Sequence, residues 1–85
     1  MRSVFVYTTS YCPYCQSAKA LLNKLSIPFQ EIDASDPSTR QLLVEKTGRR
    51  TVPQIFFGEE SIGGFDDLNA LHHTGKLFES LKRTG

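Results

Sequence analysis

The chain opens on an unbroken apolar run, Val4-Phe5-Val6-Tyr7, and then changes period. Residues 3–8 read as a strand covered on both faces, since a run without alternation leaves no solvent side. Residues 13–25 carry Cys15, Ala18, Leu22 and Leu25 on one stripe, with Leu21 beside it, which is helical spacing. Ser26-Ile27-Pro28 ends that helix. Residues 28–33 read as a second strand, and strand–helix–strand in succession predicts a parallel pair joined by a right-handed crossover. Asp36-Pro37-Ser38 starts a second helix, roughly 38–47, with Leu42, Leu43 and Val44 as its apolar residues and Gly48 as its stop. Residues 52–57 and 60–62 read as a hairpin turning at Gly58-Glu59, a pairing that suits a type II′ turn. Phe65, Leu68, Leu71 and His72 mark a third helix over roughly 65–74, ended by Gly75, and 76–82 is a short fourth helix or tail. The resulting order is β-α-β-α-β-β-α. Periodicity alone specifies no more than a small α/β domain.

Composition narrows the class. Eighty-five residues is the size of one domain, here 1–85, and a core this small must pack efficiently. A formal charge of +1 gives no argument for nucleic acid or an acidic membrane as a partner. Arg49-Arg50 is a short basic pair that reads as a solvated loop. No apolar run approaches a membrane span. Met1-Arg2-Ser3 leads straight into the first strand, which predicts no signal peptide. The chain has two cysteines, too close together to staple a secreted mini-protein, so a reducing, cytoplasmic setting is the simpler expectation.

Those two cysteines are the main chemical signal. Cys12-Pro13-Tyr14-Cys15 sits between the first strand and the first helix, the context in which C-x-x-C acts as a redox dithiol. Proline suits the first helical position because its missing N–H costs nothing there. Cys12 then lies at the helix N-terminus, where the positive end of the helix dipole favours a thiolate, the nucleophile of disulfide exchange. Cys15 falls on the apolar stripe, so it should face the core and serve as the resolving thiol. A zinc site is the competing use of a cysteine pair. It would have to recruit His72 and His73, which are adjacent on a helix, point in different directions and lie far along the chain, so no metal is expected. Pro53 interrupts a strand and requires a reason. Gly63-Gly64 leads into Phe65-Asp66-Asp67, which reads as a turn with an aspartate cap or as a helix N-terminus offering N–H groups to a carboxylate.

Three blocks, Cys12-Pro13-Tyr14-Cys15, Thr51-Val52-Pro53-Gln54 and Gly63-Gly64-Phe65-Asp66-Asp67, resemble the glutaredoxins in order and spacing, over nearly the whole chain. The resemblance implies a thioredoxin-like fold, with a four-stranded mixed sheet flanked by helices. It implies a glutathione-dependent thiol–disulfide oxidoreductase working through Cys12 and Cys15. Pro53 would be cis and stand opposite the cysteines, leaving the Val52 backbone N–H and C=O to pair with substrate, with Thr51 flanking the same groove. The γ-glutamyl carboxylate of glutathione would dock at Gly64, Phe65, Asp66 and Asp67, an aspartate meeting its ammonium. Arg40 would meet the glycine carboxylate, and Tyr14 would cover the sulfur face. Glutathione would be co-substrate and reductant, with no tightly bound cofactor. Partners would be glutathionylated or disulfide-containing proteins, ribonucleotide reductase among them by analogy, and the chain would be a monomer. One departure stands out: many glutaredoxins carry a lysine where this chain has Thr9. Unless something replaces it, weaker glutathione binding or a higher Cys12 pKa follows, with Arg40 carrying more of the anion recognition. Two rivals keep the fold: electrons drawn from thioredoxin reductase, and an iron–sulfur carrier built from two subunits and two glutathiones. The glycine-rich block and Arg40 argue against the first, and the Pro13-Tyr14 pair argues against the second.

Overall fold

A computed structural model describes residues 2–82. Its elements are β1 (Val4–Thr8), α1 (Pro13–Lys24), β2 (Gln30–Asp33), α2 (Pro37–Thr47), β3 (Gln54–Phe57), β4 (Glu60–Gly63), α3 (Phe65–His73) and α4 (Leu77–Lys82). The sheet order is β2-β1-β3-β4, with β1 and β2 parallel and the other two pairs antiparallel. This is the four-stranded mixed sheet that the resemblance implied, with the parallel pair and the hairpin that the element order predicted.

The central strands divide their side chains between two apolar layers. Val4, Val6, Ile55 and Phe57 point to the face covered by Ala18 and Leu22 of α1, Leu68 of α3, and Leu77 and Leu81 of α4. Phe5, Tyr7 and Phe56 point to the other face, against Leu43 of α2 and Ala34. Both faces are covered, as the unbroken run in β1 implied, but unequally: Phe5 and Tyr7 stay half-buried beside the smaller cluster of Ala34, Leu43 and Phe56. Burial of apolar surface at roughly 25 cal/mol per Å² is what holds these layers together. Leu22→Ala in the larger layer would cost about 2–5 kcal/mol.

Most boundaries differ from the sequence reading by one or two residues, and three of these shifts have a local cause. β2 starts at Gln30 rather than at residue 28, since Pro28 has no N–H to give the ladder. β3 starts at Gln54 rather than at 52, because Pro53 has no N–H to give the ladder; the Val52–Pro53 bond before it is cis. Helix α2 starts one residue early, at Pro37, with Asp36 as its cap. Gly48 ends α2 at φ 73°, the left-handed conformation expected of a stop glycine. No helix among the described residues is long and apolar enough to cross a membrane.

Candidate active site

The site grows from the start of α1. Cys12 is extended (φ −147°, ψ 98°), the usual backbone of a cap, and Pro13 follows at the first helical position. The Cys15 N–H donates to Cys12 Sγ over 3.2 Å, so the sulfur occupies the place a cap oxygen usually takes. Cys15 lies one turn on and is fully buried, while Cys12 is partly exposed. The two are joined as a disulfide, their Cα atoms 5.1 Å apart, well within the range such a bond spans. The sequence reading of one outer and one inner sulfur therefore agrees with the burial.

The loop before β3 faces this sulfur. Cys12 Sγ lies 3.5 Å from the Val52 carbonyl oxygen, which a protonated Cys12 thiol can use as an acceptor. A thiolate cannot, and its stabilising partners are N–H groups such as that of Cys15. Pro53 is buried behind Val52. Its carbonyl oxygen lies 3.4 Å from where a Gly64 Cβ would stand, so glycine lets the start of α3 pack close to this loop.

The third wall is the N-terminus of α3. Asp67 Oδ2 accepts from the Gly64 N–H at 3.0 Å, and Arg49 Nη1 donates to the same oxygen at 3.2 Å. Gly63 has φ 113°, and a Cβ on it would run into the Asp67 carboxylate, so the turn admits no larger residue without moving that cap. Asp66 is exposed in the same first turn.

Together these pieces line a groove of about 250 Å³, formed by Tyr14, Arg49, Thr51, Val52, Pro53, Gly64, Phe65, Asp66 and Asp67. Tyr14 is 64% exposed, and its ring stacks at 27° to that of Phe65, with centroids 6.4 Å apart. A groove with an aromatic shelf and charges of both signs fits a small zwitterionic peptide better than an apolar ligand.

Two cations line different hollows. Arg40 lines a second hollow, with Ser35, Gln41 and Arg50, the last being the chain neighbour of Arg49. Arg49, read from sequence as a solvated loop residue, lines the groove instead. Its signal was its place two residues before Thr51, on the same short loop. Thr9 lines a separate hollow that also holds Lys19. Lys19 Nζ is committed to Glu31 at 2.8 Å, and Thr8 Oγ1 donates to the same carboxylate at 2.7 Å. These two donors, Lys19 first, hold the Glu31 carboxyl below the usual carboxylate range. His72 is half-buried and His73 exposed, and no group of three potential metal ligands converges among the described residues.

Comparison with known proteins agrees with this geometry. The family model described as Glutaredoxin matches residues 4–62. The chain is 50% identical over 78 residues to a glutaredoxin from Pseudomonas aeruginosa, covering 91% of this chain and 93% of that one. It is 45% identical over 83 residues to glutaredoxin 3 from Escherichia coli, covering 96% and 100%. Among solved structures, a buckwheat glutaredoxin–glutathione complex superposes with a TM-score of 0.85 at 34% identity, covering 94% of this chain and 76% of that one. The solution structure of glutaredoxin from Brucella melitensis gives a TM-score of 0.86 at 51% identity, covering 96% and 90%. The paired cysteines at a helix start, the proline loop facing them and these likenesses lead to one conclusion: the chain belongs to the glutaredoxin family.

Proposed function

We infer that this protein is a glutathione-dependent thiol–disulfide oxidoreductase acting through Cys12 and Cys15. The observation that carries the reading is the position of Cys12 Sγ: partly exposed, at a helix N-terminus, within 3.5 Å of Val52 and bonded to a buried partner sulfur one turn along.

The chemistry follows. A Cys12 thiolate attacks the glutathione sulfur of a mixed disulfide, forming Cys12–S–S–glutathione and expelling the substrate sulfur as a thiolate. A second glutathione thiolate attacks that adduct, leaves as glutathione disulfide and returns the Cys12 thiolate. With a protein disulfide, the first attack leaves Cys12 bonded to the substrate. The Cys15 thiolate then attacks Cys12 Sγ, releasing the substrate's second thiolate and closing the Cys12–Cys15 disulfide. Two glutathiones reopen it, being oxidised to one glutathione disulfide.

The groove supplies recognition. The Val52 backbone pairs with the peptide backbone of glutathione, as in strand addition. The N-terminus of α3 receives a carboxylate through its N–H groups, and exposed Asp66 meets the ammonium. Arg49 lines this groove and offers a cation to a ligand carboxylate. The likeness to a relative described as a glutathione complex supports glutathione as the ligand. Residues 1–85 act as one domain and as a monomer, in a reducing cytoplasmic compartment, on glutathionylated or disulfide-bearing proteins.

The test is a coupled assay with glutathione, glutathione reductase and a small glutathione mixed disulfide. Turnover well above the uncatalysed rate is expected, persisting in Cys15→Ser and absent in Cys12→Ser. Reduction of protein disulfides should fail in Cys15→Ser. A rate no higher than background with the unmodified chain would overturn the reading, and loss of mixed-disulfide turnover in a folded Cys15→Ser chain would overturn the single-thiol route.

A further inference from the structure

One buried polar side chain near the groove has no part in the chemistry just described. Gln54 opens β3 and is fully buried, among Ile55, Phe56 and Phe57, which are also buried. Its Nε2 donates to the Thr51 carbonyl oxygen at 2.9 Å and lies 3.3 Å from Thr51 Oγ1. The reverse amide orientation would set two acceptors, Gln54 Oε1 and the Thr51 carbonyl, against each other, so the donor must face Thr51. Gln54 Oε1 has no protein partner among the described residues. A methionine or leucine would fill similar space without burying such an atom, so packing alone does not call for glutamine here.

The consequence lies one peptide further on. The Thr51–Val52 peptide is trans, since the cis bond of this loop is Val52–Pro53. In a planar trans peptide the C=O and the following N–H point in opposite directions. Holding the Thr51 carbonyl toward the buried Gln54 amide therefore turns the Val52 N–H away from it, to the side where Thr51, Val52 and Pro53 line the groove.

We propose that Gln54 is a positioning residue that aims the Val52 N–H into the groove by clamping the Thr51 carbonyl, and so sets affinity for the substrate's peptide backbone without touching it. This rests on the reading of the groove as the glutathione site. Cys12 takes no hydrogen bond from Gln54, so its intrinsic reactivity does not depend on the clamp.

The test separates recognition from reactivity. Gln54→Met keeps an unbranched side chain of similar length and deletes the donor. In the coupled assay its apparent KM for the glutathione mixed disulfide rises roughly tenfold while kcat stays within about twofold, the split expected when binding alone is weakened. Alkylation of reduced Cys12 by iodoacetamide, which needs no backbone pairing, keeps its rate and its pH inflection. An unchanged KM in folded Gln54→Met overturns the proposal, and so does an alkylation rate that falls along with turnover, because that marks a general loosening of the site. A measurement on the unmodified chain covers the case in which the variant does not fold. The Gln54 side-chain amide protons should exchange with solvent far more slowly than those of the exposed Gln16, Gln30 and Gln41. Exchange as fast as in those three overturns the clamp. Failure of the underlying reading looks different: the unmodified chain would not turn over the mixed disulfide at all, which removes both.

Discussion

Helices α1 and α2 begin alike. Each has an extended cap residue followed by proline, Cys12-Pro13 in one and Asp36-Pro37 in the other, and in each the cap side chain accepts N–H bonds from the first turn. In α2 one carboxylate oxygen takes both Ser38 N–H, at 3.0 Å, and Thr39 N–H, at 3.2 Å. In α1 a sulfur takes the Cys15 N–H at 3.2 Å. Both ends favour an anion, for the same electrostatic reason. What separates them is the capping atom and its surroundings. An aspartate is ionised at neutral pH and has no further reaction to offer. A sulfur can be stabilised as an anion and still attack a disulfide. The α1 cap also faces Val52, and so a groove, whereas the α2 cap is exposed. A helix N-terminus stabilises charge wherever it occurs; it becomes an active site only where the charge is nucleophilic and a substrate can be held beside it.

The strongest way to break this comparison is to exchange the capping atoms. Cys12→Ser keeps a good cap but removes the nucleophile. Thermal stability of the reduced protein should change little while turnover is lost. Asp36→Ala should do the reverse, retaining turnover and lowering Tm by roughly 4–8 °C, the shift expected for a lost cap in a domain of this size. If Asp36→Ala lost turnover as Cys12→Ser does, the division between a catalytic and a structural helix start would be wrong.

The second test is electrostatic. If the α1 N-terminus favours an anion as the α2 N-terminus does, the alkylation rate of Cys12 should show an inflection below the free-thiol value of about 8.5. Substituting Thr9 by lysine should lower that inflection further. An inflection at or above the free value would show that the helix start does not activate the sulfur.

A third test asks whether the early part of α2 contributes to the site at all. Arg40 stands near the start of that helix and lines a different hollow from the groove. Arg49 lines the groove, paired with Asp67 through side chains that are 54% and 46% exposed. Arg49→Ala should raise the apparent glutathione constant by about threefold to tenfold, the lower figure reflecting solvent exposure. Arg40→Ala should raise it less. The opposite order would restore Arg40 as the main anion contact and return α2 to the site.

The smallest effect is acid stability. The Ser38 hydrogen bond, followed by that of the Thr39 N–H, holds the Asp36 carboxyl below its ordinary range. A folded pKa lowered in this way contributes stability above the unfolded value, and the contribution is lost as pH falls through the folded value. Asp36→Asn keeps the cap and cannot titrate, so its Tm should fall less than that of the unmodified chain in the acid range below the ordinary aspartate value. Parallel curves of Tm against pH would show that this cap does not sense protonation.

Much of this molecule could be read without coordinates because much of it is local. The stripe Cys15-Ala18-Leu22 placed α1 and assigned one sulfur to the core and the other to the surface. Asp36 and Gly48 bracketed α2, and Gly58-Glu59 set the hairpin. Each depends on residues within a turn or two of one another, where backbone geometry and side-chain spacing decide the outcome. The family likeness added the proline loop and the glycine-rich helix start, and with them most of the groove. Tertiary packing alone decided the rest. Val52 meets Cys12 across 40 positions of chain because β3 pairs with β1, and no local pattern encodes that meeting. Arg49 looked like an ordinary loop cation, and only the fold carries its loop past Asp67. Gln54 could not be distinguished from a surface glutamine in a short strand until burial set its amide against Thr51. Local sequence selects which atoms can react or cap. Which of them share a space depends on how the layers close, a property of the whole packed core.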